Sequence, residues 1–171
     1  MTKNIVLIGL MGSGKTTIGK KVAEKLNMKF VDTDELIVQK AQKSIKLIFA
    51  EDGELFFRDL ESEVIEEASR QENIVISTGG GAVLREENVD NLKKNGILFH
   101  LFATAEELFK RIKDDTERPL INTKNPVKTL KTIQNNREIF YGQADFKINT
   151  GKTSPDEAAD EIIEKFNRKN D

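Results

Sequence analysis

Cysteine is absent from the 171 residues, which excludes disulfides and thiolate-held metals. No apolar run approaches the roughly 18 residues a membrane helix needs, so no membrane partner is expected. Nor is there a basic excess: 27 Lys and Arg stand against 29 Asp and Glu, a net charge of -2. Nucleic-acid-binding domains are usually basic, so that partner is not expected either. The single histidine, His100, sits in an apolar run and reads as structural. There is no Asn-Lys-x-Asp guanine signature, no repeat, no low-complexity run and no linker, so residues 1–171 read as one domain. The N-terminus Met1-Thr2-Lys3-Asn4 runs straight into an apolar strand without a signal-peptide layout. The cytoplasm and a monomer are the expectations.

What is present begins with Ile5-Val6-Leu7-Ile8, a buried-strand pattern, followed by Gly9-Leu10-Met11-Gly12-Ser13-Gly14-Lys15-Thr16 and then Thr17. This is Gly-x-x-x-x-Gly-Lys-Thr, the phosphate-cradling P-loop pattern. Ile18, Val22, Ala23 and Leu26 follow at helical spacing, so strand, loop and helix are all in place. The chemistry follows from the residue types. Glycines let the backbone N–H groups of Gly12, Ser13 and Gly14 turn towards one anion. The helix N-terminus adds about half a positive charge. Lys15 supplies a full charge and Thr16 a hydroxyl suited to Mg²⁺. The competing reading is a glycine turn with a chance Lys-Thr.

Further apolar runs predict strands near residues 29–31, 73–77, 97–102 and 145–149, each separated from the next by helical patterns. The segment 44–57 reads as a helical break at Asp52-Gly53, with a long helix from Glu54 to about Arg70. Residues 113–126 show no period and read as a surface loop of lid length. Alternating strands and helices imply an α/β fold, a five-stranded parallel sheet covered on both faces. Ligands bind beyond the C-terminal strand ends in such folds. Gly9–Thr16, Asp32–Asp34 and Thr78–Gly81 all fall there.

The strand ending at Ser77 runs into Thr78 and glycines, with no carboxylate for a metal, so Asp32 at the end of the neighbouring strand is the substitute. Asp34 has two compatible readings: N-cap of a helix starting at Glu35, or a carboxylate orienting or deprotonating an acceptor hydroxyl. Arg58 reads either as a surface partner of Glu54 or as an anion grip, and Arg137 as a solvated side chain or the same grip. Gly79-Gly80-Gly81 suggests close approach of a ligand to the backbone. Arg118, in the expected lid, either closes on the phosphates or is one more solvated charge. Tyr141 reads as core, and Glu61, Glu63, Glu66 and Glu67 as a solvated helix face.

Taken together these motifs resemble the shikimate kinase family. The resemblance rests on Gly-Leu-Met-Gly-Ser-Gly-Lys-Thr at 9–16, Asp32-Thr33-Asp34, and Ile48-Phe49 with Gly53-Glu54, Phe57-Arg58 and Glu61. Thr78-Gly79-Gly80-Gly81-Ala82, Arg118-Pro119-Leu120 and Arg137 with Tyr141 complete it, so that nearly the whole chain is covered. It implies a P-loop NTPase of the nucleoside-monophosphate-kinase type, which uses ATP to phosphorylate the 3-hydroxyl of shikimate on the way to chorismate. By that likeness Gly12, Ser13, Gly14, Lys15, Thr16 and Thr17 hold the phosphates, and Arg111 stacks on adenine. Lys15 and Arg118 steady the transferred group, and Thr16 ligates Mg²⁺ with Asp32 acting through water. Asp34 holds the ring hydroxyls, Arg58 and Arg137 grip the carboxylate, and the Gly80 backbone touches the substrate. Ile139 departs from the proline of many relatives, and the adenine loop near 150–155 matches weakly. A gluconate-type kinase and a non-catalytic nucleotide-binding module are the alternatives.

Overall fold

The computed structural model describes residues 3–115 and 123–170. Five parallel strands form one sheet: β1 (Asn4–Ile8), β2 (Lys29–Asp32), β3 (Ile74–Ser77), β4 (Gly96–Phe102) and β5 (Phe146–Asn149), in the spatial order β2-β3-β1-β4-β5. The helices are α1 (Lys15–Leu26), α2 (Thr33–Ala41), α3 (Ile45–Glu51), α4 (Gly53–Ser69), α5 (Glu86–Lys94), α6 (Ala105–Ile112), α7 (Pro126–Tyr141) and α8 (Pro155–Asn170).

Both faces of the central strand are covered, which is why it reads as a continuous apolar run. Successive residues alternate between two cores. Val6, Ile8, Ile74, Ile76 and Leu98 pack with Val89, Leu92, Leu108, Leu130 and Tyr141 on one face. Ile5, Leu7, Val75, Ile97 and Phe99 pack with Ile18, Val22, Ile162 and Phe166 on the other. A third cluster, Ile37, Ile48, Phe57, Leu60 and Val64, knits α2, α3 and α4 into a layer beside the sheet.

The strand order positions the site. The chain leaves β1 through α1 on one face towards β2, and leaves β3 through α5 on the other face towards β4. The loops after β1 and β3, neighbouring strands, therefore diverge, and a crevice opens at their C-terminal ends. Local signals set the helix starts: a capping box of Thr104 and Glu107 opens α6, and Asn125 with Pro126 opens α7.

Two local expectations are corrected and one short element is added. The break at Asp52-Gly53 is preceded by a true helix, α3, capped by Ser44, and Gly53 takes φ +87 to start the next one. A 3-10 turn, Ala82–Leu84, follows the glycines. Asp34 is not an N-cap. Asp32 caps α2 by accepting from the N–H groups of Asp34 and Glu35, so Asp34 lies inside the first turn. Most of the expected lid, residues 116–122 including Arg118, lies outside the described residues.

Candidate active site

A cleft of about 500 Å³ opens at the strand ends. The P-loop forms one wall. Gly12 and Gly14 adopt φ +77 and +99, which only glycine reaches without strain, and Gly14 serves as N-cap of α1. The helix thus points its N-terminus into the cleft. Lys15 folds back over the loop, its Nζ 2.7 Å from the Gly9 carbonyl and 2.9 Å from the Leu10 carbonyl. Thr16 and Thr17 line the entrance and are exposed.

Thr16 Oγ1 donates to Asp32 Oδ2 at 3.2 Å, so the hydroxyl and carboxylate expected to serve a metal do meet. Both are hard oxygen donors, the kind Mg²⁺ takes, and Mg²⁺ commonly uses one or two protein oxygens beside phosphates and water. Among the described residues no group of three or more His, Asp or Glu could hold an ion by itself. Beside the phosphate wall, Arg111 donates to the Gly12 carbonyl at 2.9 Å and to the Thr150 carbonyl at 2.6 Å. Thr150 Oγ1 in turn donates to the Ser13 carbonyl at 2.8 Å. The P-loop, α6 and the loop after β5 are thereby tied together.

The opposite wall carries Asp34, Arg58, Gly80 and Arg137, all facing the same cleft. Arg58 is no surface residue. Its side chain is 16% exposed and donates from Nη1 to Glu61 Oε1 at 2.7 Å, while Glu54 stays at 3.7 Å. Glu61, read from sequence as part of a solvated face, is 1% exposed, and its Oε2 has no hydrogen-bond partner. Burial pushes its carboxyl above the usual range, Arg58 opposes that push, and the nearby Asp34 charge adds to it. The signal for Glu61 was present in the sequence. It falls within the apolar stripe Phe57, Leu60, Val64, Ile65 and Ala68 of α4, so it had to be buried.

The three glycines let the site's charged side chains approach the turn closely. A Cβ at Gly79 would sit 2.8 Å from Asp34 Oδ1, one at Gly80 3.3 Å from Arg137 Nη1, and one at Gly81 2.5 Å from Arg58 Nη1. Arg137 lies on α7 between Gln134, which donates to the Ala103 carbonyl at 2.7 Å, and Tyr141, whose hydroxyl donates to the Gly80 carbonyl at 2.7 Å. Tyr141, read as core, is indeed buried, but its hydroxyl reaches the site wall. His100 is buried on β4 and stacks on Tyr141 at 4.5 Å. Burial, aided by Lys147, lowers its pKa to about 4, so it is neutral at pH 7.

Comparison with known proteins places the chain as a whole. Residues 11–167 match the family model described as shikimate kinase. The chain belongs to the shikimate kinase family. The shikimate kinase of Caldicellulosiruptor saccharolyticus is 51% identical over 94% of either chain. A shikimate kinase of Acinetobacter baumannii, solved in complex with shikimate, superposes with a TM-score of 0.93 at 34% identity, covering 99% of this chain and 95% of that one. A gluconokinase from Sinorhizobium meliloti has a TM-score of 0.65 at 17% identity, covering 98% and 93%, which shows a common fold alone. Family membership makes the chain an ATP-dependent phosphotransferase with an alcohol acceptor, phosphorylating shikimate.

Proposed function

We propose that the two walls of the cleft divide the reaction between them. ATP lays its phosphates on Gly12, Gly14, Lys15, Thr16 and Thr17, which line the cleft, where backbone donors, the α1 N-terminus and one ammonium meet the negative charge. Ser13, expected to offer its N–H as well, is buried behind them with that N–H on the Leu10 carbonyl. Arg111 stands at the adenine end of that wall. Shikimate places its carboxylate against Arg58 and Arg137 beside the Gly80 backbone, since a guanidinium grips a carboxylate through two donors. Asp34 holds the acceptor hydroxyl, the 3-hydroxyl in this reading, and aims its oxygen at the γ-phosphorus. The hydroxyl oxygen forms the new P–O bond as the bond to the ADP oxygen breaks, and its proton passes to Asp34 or to the phosphoryl group.

Thr16 and Asp32 would hold Mg²⁺. The ion supplies neutralisation of phosphate charge when bound. Arg118 is assigned to the transferred phosphoryl group from the sequence resemblance, and the lid of residues 113–126 from its length and lack of apolar period. A single cytoplasmic domain acting as a monomer completes the reading; among the described residues no helix is long and apolar enough to cross a membrane.

The observation that carries this proposal is the convergence of Asp34, Arg58, Gly80 and Arg137 across one cleft from the P-loop. The test is a coupled ADP-release assay with ATP, Mg²⁺ and shikimate, with gluconate as control acceptor. Turnover with shikimate alone, lost in Lys15→Met, is expected. Equal turnover with gluconate would remove the assignment of shikimate as the preferred acceptor, and a wild-type shikimate KM in both Arg58→Ala and Arg137→Ala would remove the assignment of the two arginines to its carboxylate.

A further inference from the structure

Gly80 and Gly81 stand between two cations. Gly80 faces Arg137 and Gly81 abuts Arg58, each so closely that no Cβ fits freely. The peptide joining them is held at one atom, the Gly80 carbonyl oxygen, by Tyr141 Oη at 2.7 Å. A trans peptide directs its N–H opposite to its C=O, so this bond turns the Gly81 N–H away from Tyr141. Among the described residues, no acceptor takes the Gly80 or Gly81 N–H.

Tyr141 is itself immobilised. It is 2% exposed, stacks on His100 with an interplanar angle of 18°, and lies one helical stripe with Gln134 and Arg137 on α7. Gln134 fixes one end of that stripe to the residue just after β4 through the Ala103 carbonyl, and Tyr141 fixes the other to the glycine turn. Arg137, between them, faces the phenol as well, countering the rise that burial imposes on its pKa.

We propose that Tyr141 is a positioning residue for the acceptor: its hydroxyl pins the Gly80–Gly81 peptide between Arg137 and Arg58 and so shapes the anion pocket for the shikimate carboxylate. The proposal rests on placing that carboxylate at the two arginines. A phenol at this spot does what a Phe of nearly equal volume cannot, because only the hydroxyl reaches the Gly80 carbonyl.

The experiment compares the full-length wild type, Tyr141→Phe and Arg137→Ala with shikimate and with its methyl ester, which lacks the carboxylate charge. Tyr141→Phe keeps the ring and its stack. It should raise KM for shikimate about five- to tenfold, the effect of one lost hydrogen bond and a stranded carbonyl. KM for the ester and for ATP should stay within about twofold, so that selectivity for acid over ester falls. A purely structural role would lower the melting temperature without moving that selectivity, and this outcome overturns the proposal. An equal rise for acid and ester overturns it too. Arg137→Ala separates the two levels: unchanged shikimate KM in that variant removes the underlying placement, whereas a large rise there with none in Tyr141→Phe removes only the role of Tyr141. If Tyr141→Phe does not fold, His100→Ala loosens the same ring and should cause an acid-selective rise of about threefold; no change overturns the proposal.

Discussion

Replacing Arg58 by Ala should reveal the buried carboxylate behind it. The substitution removes a grip on the acceptor, and it also strips Glu61 of the guanidinium 2.7 Å away. Glu61 then lies buried with neither oxygen paired, next to Asp34. Breaking a buried pair typically costs about 3–5 kcal/mol, but a carboxyl escapes the upper part of that range by taking a proton. Its ordinary pKa is 4.5. Protonating such a group costs about 3.4 kcal/mol at pH 7 and about 1.4 kcal/mol at pH 5.5. Those figures are ceilings on the charge penalty at each pH. The sign follows from proton counts. A raised folded-state pKa means that the folded state binds more protons than the unfolded one between the two pKa values, so stability falls as pH rises there. The stability deficit of Arg58→Ala relative to wild type should therefore be about 1–2 kcal/mol smaller at pH 5.5 than at pH 7. Adding Glu61→Gln should recover most of the pH-dependent part. The lost contact of Arg58 with the Phe57 ring, at 5.2 Å, is pH-independent and stays in both variants. Urea unfolding followed by far-UV circular dichroism suits a chain without tryptophan. A deficit equal at both pH values, or untouched by Glu61→Gln, would falsify the argument.

Gly81→Ala should act through the same arginine: its Cβ would lie 2.5 Å and 2.6 Å from the two Arg58 terminal nitrogens, so the guanidinium must swing away. Steady-state kinetics should show KM for shikimate up by about tenfold or more with KM for ATP unaffected; a wild-type KM would mean the guanidinium tolerates the displacement. Burial holds the His100 pKa at about 4 against an ordinary 6.5, so the unfolded state takes up its proton first as pH falls. Stability should thus drop from pH 6.5 towards 4 by about 2–3 kcal/mol from this group, and His100→Phe should flatten that part of the urea-midpoint profile; parallel profiles would refute it. Mg²⁺ removal by chelator should abolish turnover, and Asp32→Ala should raise the Mg²⁺ concentration for half-maximal rate several-fold, an unaltered metal titration counting against the Thr16–Asp32 pair.

The sequence by itself determined the features whose physics is local. The P-loop and the strand cores at 5–8, 74–77 and 97–101 depend on spacing within one or two turns or a single pleat, and they appear almost where periodicity put them. Even the burial of Glu61 was written in the stripe of α4, though its acidic neighbours disguised it. Tertiary structure decided what depends on contacts between distant residues. That Arg58 turns to Glu61 and the cleft rather than to Glu54 follows from the packing of α2, α3 and α4 around Phe57. That Asp32 rather than Asp34 caps α2, leaving Asp34 towards Gly79, follows from where β2 ends beside Ser77. The bond from Tyr141 to the Gly80 carbonyl spans 61 positions, and it exists because the sheet order sets β3 beside β1 and α7 over β4. No local pattern encodes such a bond, because a phenol and a distant carbonyl carry no spacing rule until the sheet has brought them together.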